Sequence, residues 1–339
     1  MISHPNFDSD YNGIKVFSTK LERFPIDEKC ILRHLISSNL FSFDEDNLKK
    51  YVIIGSDNRN SSEEIKKKVI KGIHFINKEI KIIDFGISTT PLVSFSLIHK
   101  SFCEDLYYEK FFKLNDLELN YNDLIVDCAY GAAGLMLKKI LTMFRFNITL
   151  INSNETNWQK INFRCGVTHI LKYNKFPLNW NNYTYGCSLN SDASQVIFYY
   201  FRDKFNLLDG DYISALYMTF VRSLNLDKNL KINFLHKFNT NRNVLNYIEK
   251  LGFDTVIIKD ENNFIDKESH FSIFFNSNGK GKVYSNNINE INNKKLLDFI
   301  SLVNSITSDG ITNIFGVLFC LSFLKIGFVE WHNFFRKIK

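Results

Sequence analysis

At 339 residues the chain exceeds what one compact core usually organises and fits two or three domains of ordinary size. Hydrophobic residues at 45%, charged residues at 23%, and 33 Phe with 15 Tyr exclude a disordered or collagen-like chain and describe a globular protein. Lys and Arg outnumber Asp and Glu by 42 to 36, an excess spread along the chain instead of gathered into a run, so nucleic acid is not an expected partner.

Residues 1–13 carry no basic stretch followed by an apolar core, so no secretory signal is expected. Residues 51–55 form a short apolar run, and Ser61 with Glu64 spells an S-x-x-E capping box ahead of Ile65, Val69, Ile70, Ile73 and Ile76 at helical spacing. A second apolar run at 80–85 ends at Gly86. The segment therefore reads strand, helix, strand with a right-handed crossover. The pattern returns at 124–128, through Gly131 and Gly134 into an apolar stretch ending near Phe144, then 148–151. It returns again at 232–235, 241–251 and 255–258. Three such units predict three α/β domains, with boundaries at 1–113, 114–208 and 209–339. Residues 271–275 and 282–285 flank Asn278-Gly279-Lys280-Gly281 and read as a hairpin, after which two helical segments close the chain. Residues 314–324, extended to 329 but interrupted by Lys325, fall short of the roughly 20 apolar residues of a membrane span. A buried helix is expected there, and no membrane partner. The six cysteines (Cys30, Cys103, Cys128, Cys165, Cys187, Cys320) form no C-x-x-C pair and no zinc pattern, which fits a reduced, cytoplasmic setting.

Taken singly, the polar segments read as loops and turns. They are Ser3-His4-Pro5-Asn6 with Asn12-Gly13-Ile14-Lys15, then 186–195, then Leu207-Leu208-Asp209-Gly210-Asp211, and finally 275–281. Gly131-Ala132-Ala133-Gly134 hints at a phosphate-binding helix start, but no G-x-G-x-x-G follows any strand, which argues against a dinucleotide-binding oxidoreductase.

Their order along the chain carries more. It resembles that of the α-D-phosphohexomutase superfamily, and within it the phosphoacetylglucosamine mutase family. The family's T-A-S-H-N-P and D-N-G-V-K resemble residues 2–6 and 11–15, its G-R-D-T-R-P-S-S resembles 55–62, and its T-T-P is present as Thr89-Thr90-Pro91. V-D-C-A-N-G is similar to Val126-Asp127-Cys128-Ala129-Tyr130-Gly131, and L-x-x-x-C-G-A-D to 161–168 around Cys165-Gly166. The metal loop D-G-D-A-D-R with L-L-D-G-D falls on 190–195 and 207–211. The sugar loop F-E-A-N-G-H-G falls on 275–281, and N-Q-T-V-G-D-A-I-S-D on 304–313.

The resemblance implies three successive phosphohexomutase-type α/β domains, mixed sheets flanked by helices. Upstream Y-G-T-A-G-F-R and the fourth domain with its R-x-S-G-T-E phosphate clamp are expected to be absent. It implies transfer of a phosphoryl group between the 6- and 1-hydroxyls of N-acetylglucosamine through a phosphoserine, in UDP-N-acetylglucosamine biosynthesis, with an N-acetylhexosamine phosphate as partner. The implied nucleophile is Ser3 with His4 beside it, and Lys15 handles the sugar hydroxyl proton. The implied sugar-binding residues are Asn276, Ser277, Asn278 and Lys280. Mg²⁺ would be held by Ser3, Asn190, Asp192 and Ser194, where the family has three Asp. One carboxylate of three remains and the following Arg is Gln195, so weak metal affinity and slow turnover or none are expected. The alternative expectation is a noncatalytic sugar-phosphate-binding or interaction protein on the same scaffold.

Overall fold

The computed structural model describes residues 51–334 except 100–104, 115–123, 145, 182, 228, 260–268, 286–289 and 306. The fold is mixed α/β. β1 (Tyr51–Ser56) and β2 (Lys81–Ile87) pair in parallel across α1 (Ser62–Ile76). α2 (Thr90–Ile98) and α3 (Asp105–Glu109) follow. The S-x-x-E capping box expected at Ser61 does not form. Ser61 already has helical φ −79° and ψ −14°, and its carbonyl accepts from Ile65 N, so its side chain makes no cap bond. The turn is organised by Asp57 instead, whose Oδ1 accepts from Arg59 N and from the Ser62 hydroxyl.

The second sheet runs in the order β4-β3-β5-β6-β7. β3 (Leu124–Asp127), α4 (Ala133–Phe144) and β4 (Ile148–Ile151) make the second β-α-β unit. α5 (Gly166–Tyr173) leads to β5 (Tyr185–Leu189), parallel to β3, and β6 (Val196–Phe201) and β7 (Phe205–Leu208) add antiparallel. α6 (Gly210–Ser223) then enters the third sheet's layer.

That sheet runs β11-β10-β8-β9, built from β8 (Ile232–His236), α7 (Arg242–Lys250), β9 (Asp254–Ile257), and the hairpin β10 (Phe271–Phe275) and β11 (Gly281–Ser285). Asn241, expected inside the helix, is its N-cap and accepts from Asn243 N at 2.9 Å, because its short amide satisfies an amide that the first turn cannot. Three helices follow where two were expected: α8 (Lys294–Val303), α9 (Gly310–Leu324) and the short α10 (Phe328–His332).

α9 is apolar nearly all round, so it has no face to offer water and must be buried on every side. Every residue from Gly310 to Leu321 is buried. One core joins Leu92 of α2, Val126 and Phe198 of the second sheet, Leu216 of α6, Phe234 of the third and Ile314 of α9. Asp309 caps α9 through Oδ1 to Ile311 N and Thr312 N, while its Oδ2 accepts from Tyr107 of α3 at 2.9 Å. Asn58 ties the first unit to the second, donating from Nδ2 to Tyr130 O at 2.8 Å and Glu155 O at 2.7 Å. Among the described residues no helix is long and apolar enough to cross a membrane.

Candidate functional site

The site is built outward from Asp127 at the C-terminal end of β3. This carboxylate is fully buried and has four donors. Oδ1 accepts from Ala129 N at 3.1 Å and Asn152 Nδ2 at 2.8 Å, and Oδ2 from Gly166 N and Ser188 Oγ, both at 2.7 Å. Burial pushes its carboxyl above the usual range, and the four donors act against that rise. The network fixes the start of α5 through Gly166 and fixes β5 through Ser188, two residues before the turn at 190–195.

That turn holds itself together. Asn190 Oδ1 accepts from Gln195 N at 2.9 Å, which settles the direction of the amide, and Nδ2 therefore donates to Ser194 Oγ at 3.0 Å. A hydroxyl that accepts there hands its own proton onward, to Asp192 Oδ1 at 2.8 Å. Ser194 N reaches the same oxygen at 3.2 Å. Asp192 Oδ2 accepts from Thr90 Oγ1 at 3.1 Å, and Thr90 N donates to the Asp192 carbonyl at 3.3 Å, so the first residue of α2 is tied to the turn. Ala132 N donates to Ser191 O at 3.0 Å and Gly310 N to Ala193 O at 2.7 Å, which brings in the starts of α4 and α9.

The tip of the β10–β11 hairpin rests against the same turn. Val196 N, next to Gln195, donates to Gly279 O at 3.2 Å. Gly279 has φ +77°, and a Cβ there would lie 2.0 Å from Val196 O, so both the backbone conformation and the close approach require glycine. Within the tip, Lys280 N donates to Asn276 Oδ1 at 3.2 Å and Asn278 Oδ1 at 3.0 Å. α5, the turn and the hairpin together line an open cleft of about 320 Å³, formed by Val167, Thr168, Leu171, Lys172, Gln195 and Asn278. Val167 and Leu171 give it an apolar wall and the other four a polar rim. Among these residues Lys172 alone is charged.

Beside the hairpin, α6 opens with Asp209 as N-cap, its Oδ1 accepting from Asp211 N at 3.1 Å. Burial raises the Asp209 carboxyl to about 6. Burial, and secondarily the charge of Asp209, raises the buried Asp211 to about 7.

Of the residues singled out in the sequence, Asn190, Asp192 and Ser194 share the turn, and Asn276, Ser277, Asn278 and Lys280 share the hairpin tip against it. Ser3, His4 and Lys15 lie outside the described residues. Thr168 and Lys172 were missed, because the Cys165-Gly166 likeness placed the helix start without saying which face meets the cleft. The hub role of Asp127 was missed too, since a lone Asp after a strand gives no hint of four donors from four segments.

The donor set of the turn does not fit Mg²⁺. A small dication needs oxygens free to face it in near-octahedral array. Both Asp192 oxygens, Asn190 Oδ1 and the Ser194 hydroxyl already engage N–H and O–H groups. Among the described residues there is no group of three His, Cys, Asp or Glu placed to share an ion.

Residues 20–105 match the family model described as phosphoglucomutase/phosphomannomutase, alpha/beta/alpha domain I. The chain is 28% identical over 326 residues to a phosphoacetylglucosamine mutase of Candida albicans, covering 83% of this chain and 60% of that protein. It is similar to a solved N-acetylglucosamine-phosphate mutase in its product complex, with TM-score 0.78 and 25% identity over 89% of this chain and 64% of that one. The Aspergillus fumigatus N-acetylphosphoglucosamine mutase solved with GlcNAc-6P and magnesium shares the fold, with TM-score 0.76 and 20% identity over 89% of this chain and 68% of that one. The chain thus spans about 60% of the length of the Candida relative.

Proposed function

We propose that this chain, which is similar to phosphoacetylglucosamine mutases of the α-D-phosphohexomutase superfamily, binds N-acetylglucosamine 6-phosphate and slowly interconverts it with the 1-phosphate. The observation that carries the reading is the convergence of the 190–195 turn, the 276–280 hairpin tip and Thr90 at one place, with a cleft of about 320 Å³ beside them. In this reading residues 1–113 carry the serine loop, 114–208 the turn and 209–339 the sugar hairpin, and the protein works in the cytoplasm in UDP-N-acetylglucosamine biosynthesis.

In the proposed reaction Ser3 carries a phosphoryl group, with His4 beside it. The free sugar hydroxyl attacks that phosphorus, the bond to Ser3 Oγ breaks, and Lys15 takes the hydroxyl proton, leaving a bisphosphorylated sugar. The sugar then turns over, the freed Ser3 Oγ attacks the phosphorus of its other phosphate, the bond from that phosphorus to the sugar oxygen breaks, and that oxygen takes the proton back from Lys15. Asn278 and its hairpin neighbours Asn276, Ser277 and Lys280 hold the ring hydroxyls, Val167 and Leu171 cover its apolar face, and Lys172 faces a phosphate at the rim. The 190–195 turn is not fitted to a dication, so in this reading stabilisation of the transferring charge rests on these positioning contacts, and slow turnover is expected.

A second reading, phosphosugar binding without turnover, is favoured by the neutral side chains at 190, 194 and 195. A coupled assay with a sugar bisphosphate primer, run beside calorimetric titration with N-acetylglucosamine 6-phosphate, separates the two. Slow turnover abolished in Ser3→Ala supports the mutase reading. Binding without turnover supports the second, and absence of binding defeats both.

A further inference from the structure

We propose that the 190–195 turn is a cation-independent latch, in which the Asn190 amide and the Ser194 hydroxyl replace a divalent ion as the fastener that holds Asp192 against Thr90. The resemblance places three carboxylates in this turn, and three carboxylates only repel one another until a cation is placed between them. In this chain two of the three positions hold groups that can donate, and both do. Asn190 Nδ2 donates to Ser194 Oγ, which donates to Asp192 Oδ1. An aspartate at either position has no proton to give at neutral pH, so neither link exists in a three-carboxylate turn. The substitutions are therefore coupled. By donating to the Ser194 oxygen, Asn190 aims that hydroxyl's proton at Asp192, and the direction of Asn190 is set by Gln195 N on its other end.

The latch also reaches beyond its own loop. Asp192 Oδ2 and its backbone carbonyl accept from Thr90 Oγ1 and N, Ala193 O accepts from Gly310 N, and Val196, the residue after the turn, donates its N–H to Gly279 O of the hairpin. The walls of the cleft are thus positioned with the protein's own protons. The inference goes beyond the mutase reading, since it concerns how the cleft is held whether or not phosphoryl transfer occurs.

Thermal unfolding of the full chain is expected to be the same in chelator and in millimolar MgCl₂. Asn190→Asp/Ser194→Asp is expected to unfold earlier in chelator, to recover in MgCl₂, and to bind Mg²⁺ roughly 100-fold more tightly than the unaltered chain. If that double variant does not fold, single variants decide. Ser194→Ala is expected to speed amide exchange at Gln195 roughly fivefold, and Ser194→Thr, which keeps the hydroxyl, to restore protection. A melting temperature of the unaltered chain that rises with MgCl₂ as it does for the double variant overturns the latch, as does unchanged exchange at Gln195 in Ser194→Ala. Titration with N-acetylglucosamine 6-phosphate in chelator rests on the reading given under Proposed function and is scored separately. Failure of the sugar phosphate to bind with or without metal, alongside chelator-independent unfolding, removes that reading and leaves the latch standing.

Discussion

Asp127 and Asp192 lie on the same side of the second sheet, one at the end of β3 and the other in the turn after β5, and they have met opposite circumstances. Asp127 is buried and collects four donors from four segments. Asp192 is half-buried, and it is the one carboxylate of a turn in which Asn190 and Ser194 act as donors. The difference shows which carboxylates a fold can give up. Removing Asp127 leaves buried N–H and O–H groups with no acceptor, a penalty that a neighbouring substitution cannot easily cancel. Carboxylates arranged for a cation depend on an external partner, and neutral groups that satisfy one another can take their place.

The comparison can be broken most directly at Asp127. Asp127→Ala is expected to cost about 3–5 kcal/mol in urea unfolding, because it strands four donors in the interior. A loss comparable to that of an exposed site would mean the hub does not organise β5 and α5. Next in size is Gly279→Ala, expected to cost about 2 kcal/mol and to weaken phosphosugar binding, since it adds a Cβ in the left-handed region against the Val196 carbonyl. Normal binding by this variant would show that the hairpin tip can leave the turn without consequence.

Asp211 sharpens the comparison from a third side, being a buried carboxylate beside another carboxylate. Its folded-state value of about 7 lies above its ordinary 3.8, so between those values the native state keeps a proton that the unfolded state has released. Stability is therefore full below about pH 4 and is lost as the pH rises toward 7. Asp211→Asn is expected to flatten that slope and to add about 1–2 kcal/mol at neutral pH. Unfolding curves at pH 5 and pH 8 that keep the unaltered chain's difference in the variant would count against it.

Much of the fold was legible. The alternation of short apolar runs with helix-spaced stretches located β1, β2, β3, β4, β8 and β9 and the helices between them, because a strand or helix that buries one face must repeat its apolar residues at the period of its own geometry. The short polar segments were legible only as an ordered set, since each alone is compatible with an ordinary loop. The capping box at Ser61 failed because Asp57, four residues earlier in the chain, captured the turn, and a spacing rule cannot see which of two acceptors gets there first. Thr168 and Lys172 escaped notice because the face a helix turns to a cleft depends on what packs against its other side.

By itself the sequence determined the α/β alternation, the burial of a helix as apolar as α9, and the single carboxylate at 190–195, all of them properties of local pattern and composition. Only the tertiary structure decided that Asn190 and Ser194 donate toward Asp192, that Thr90 closes the turn from another element, and that the hairpin tip shares a cleft with α5. Those are distances between segments as much as a hundred residues apart, and a hydrogen bond exists only once the packing of the whole core has brought its donor within reach.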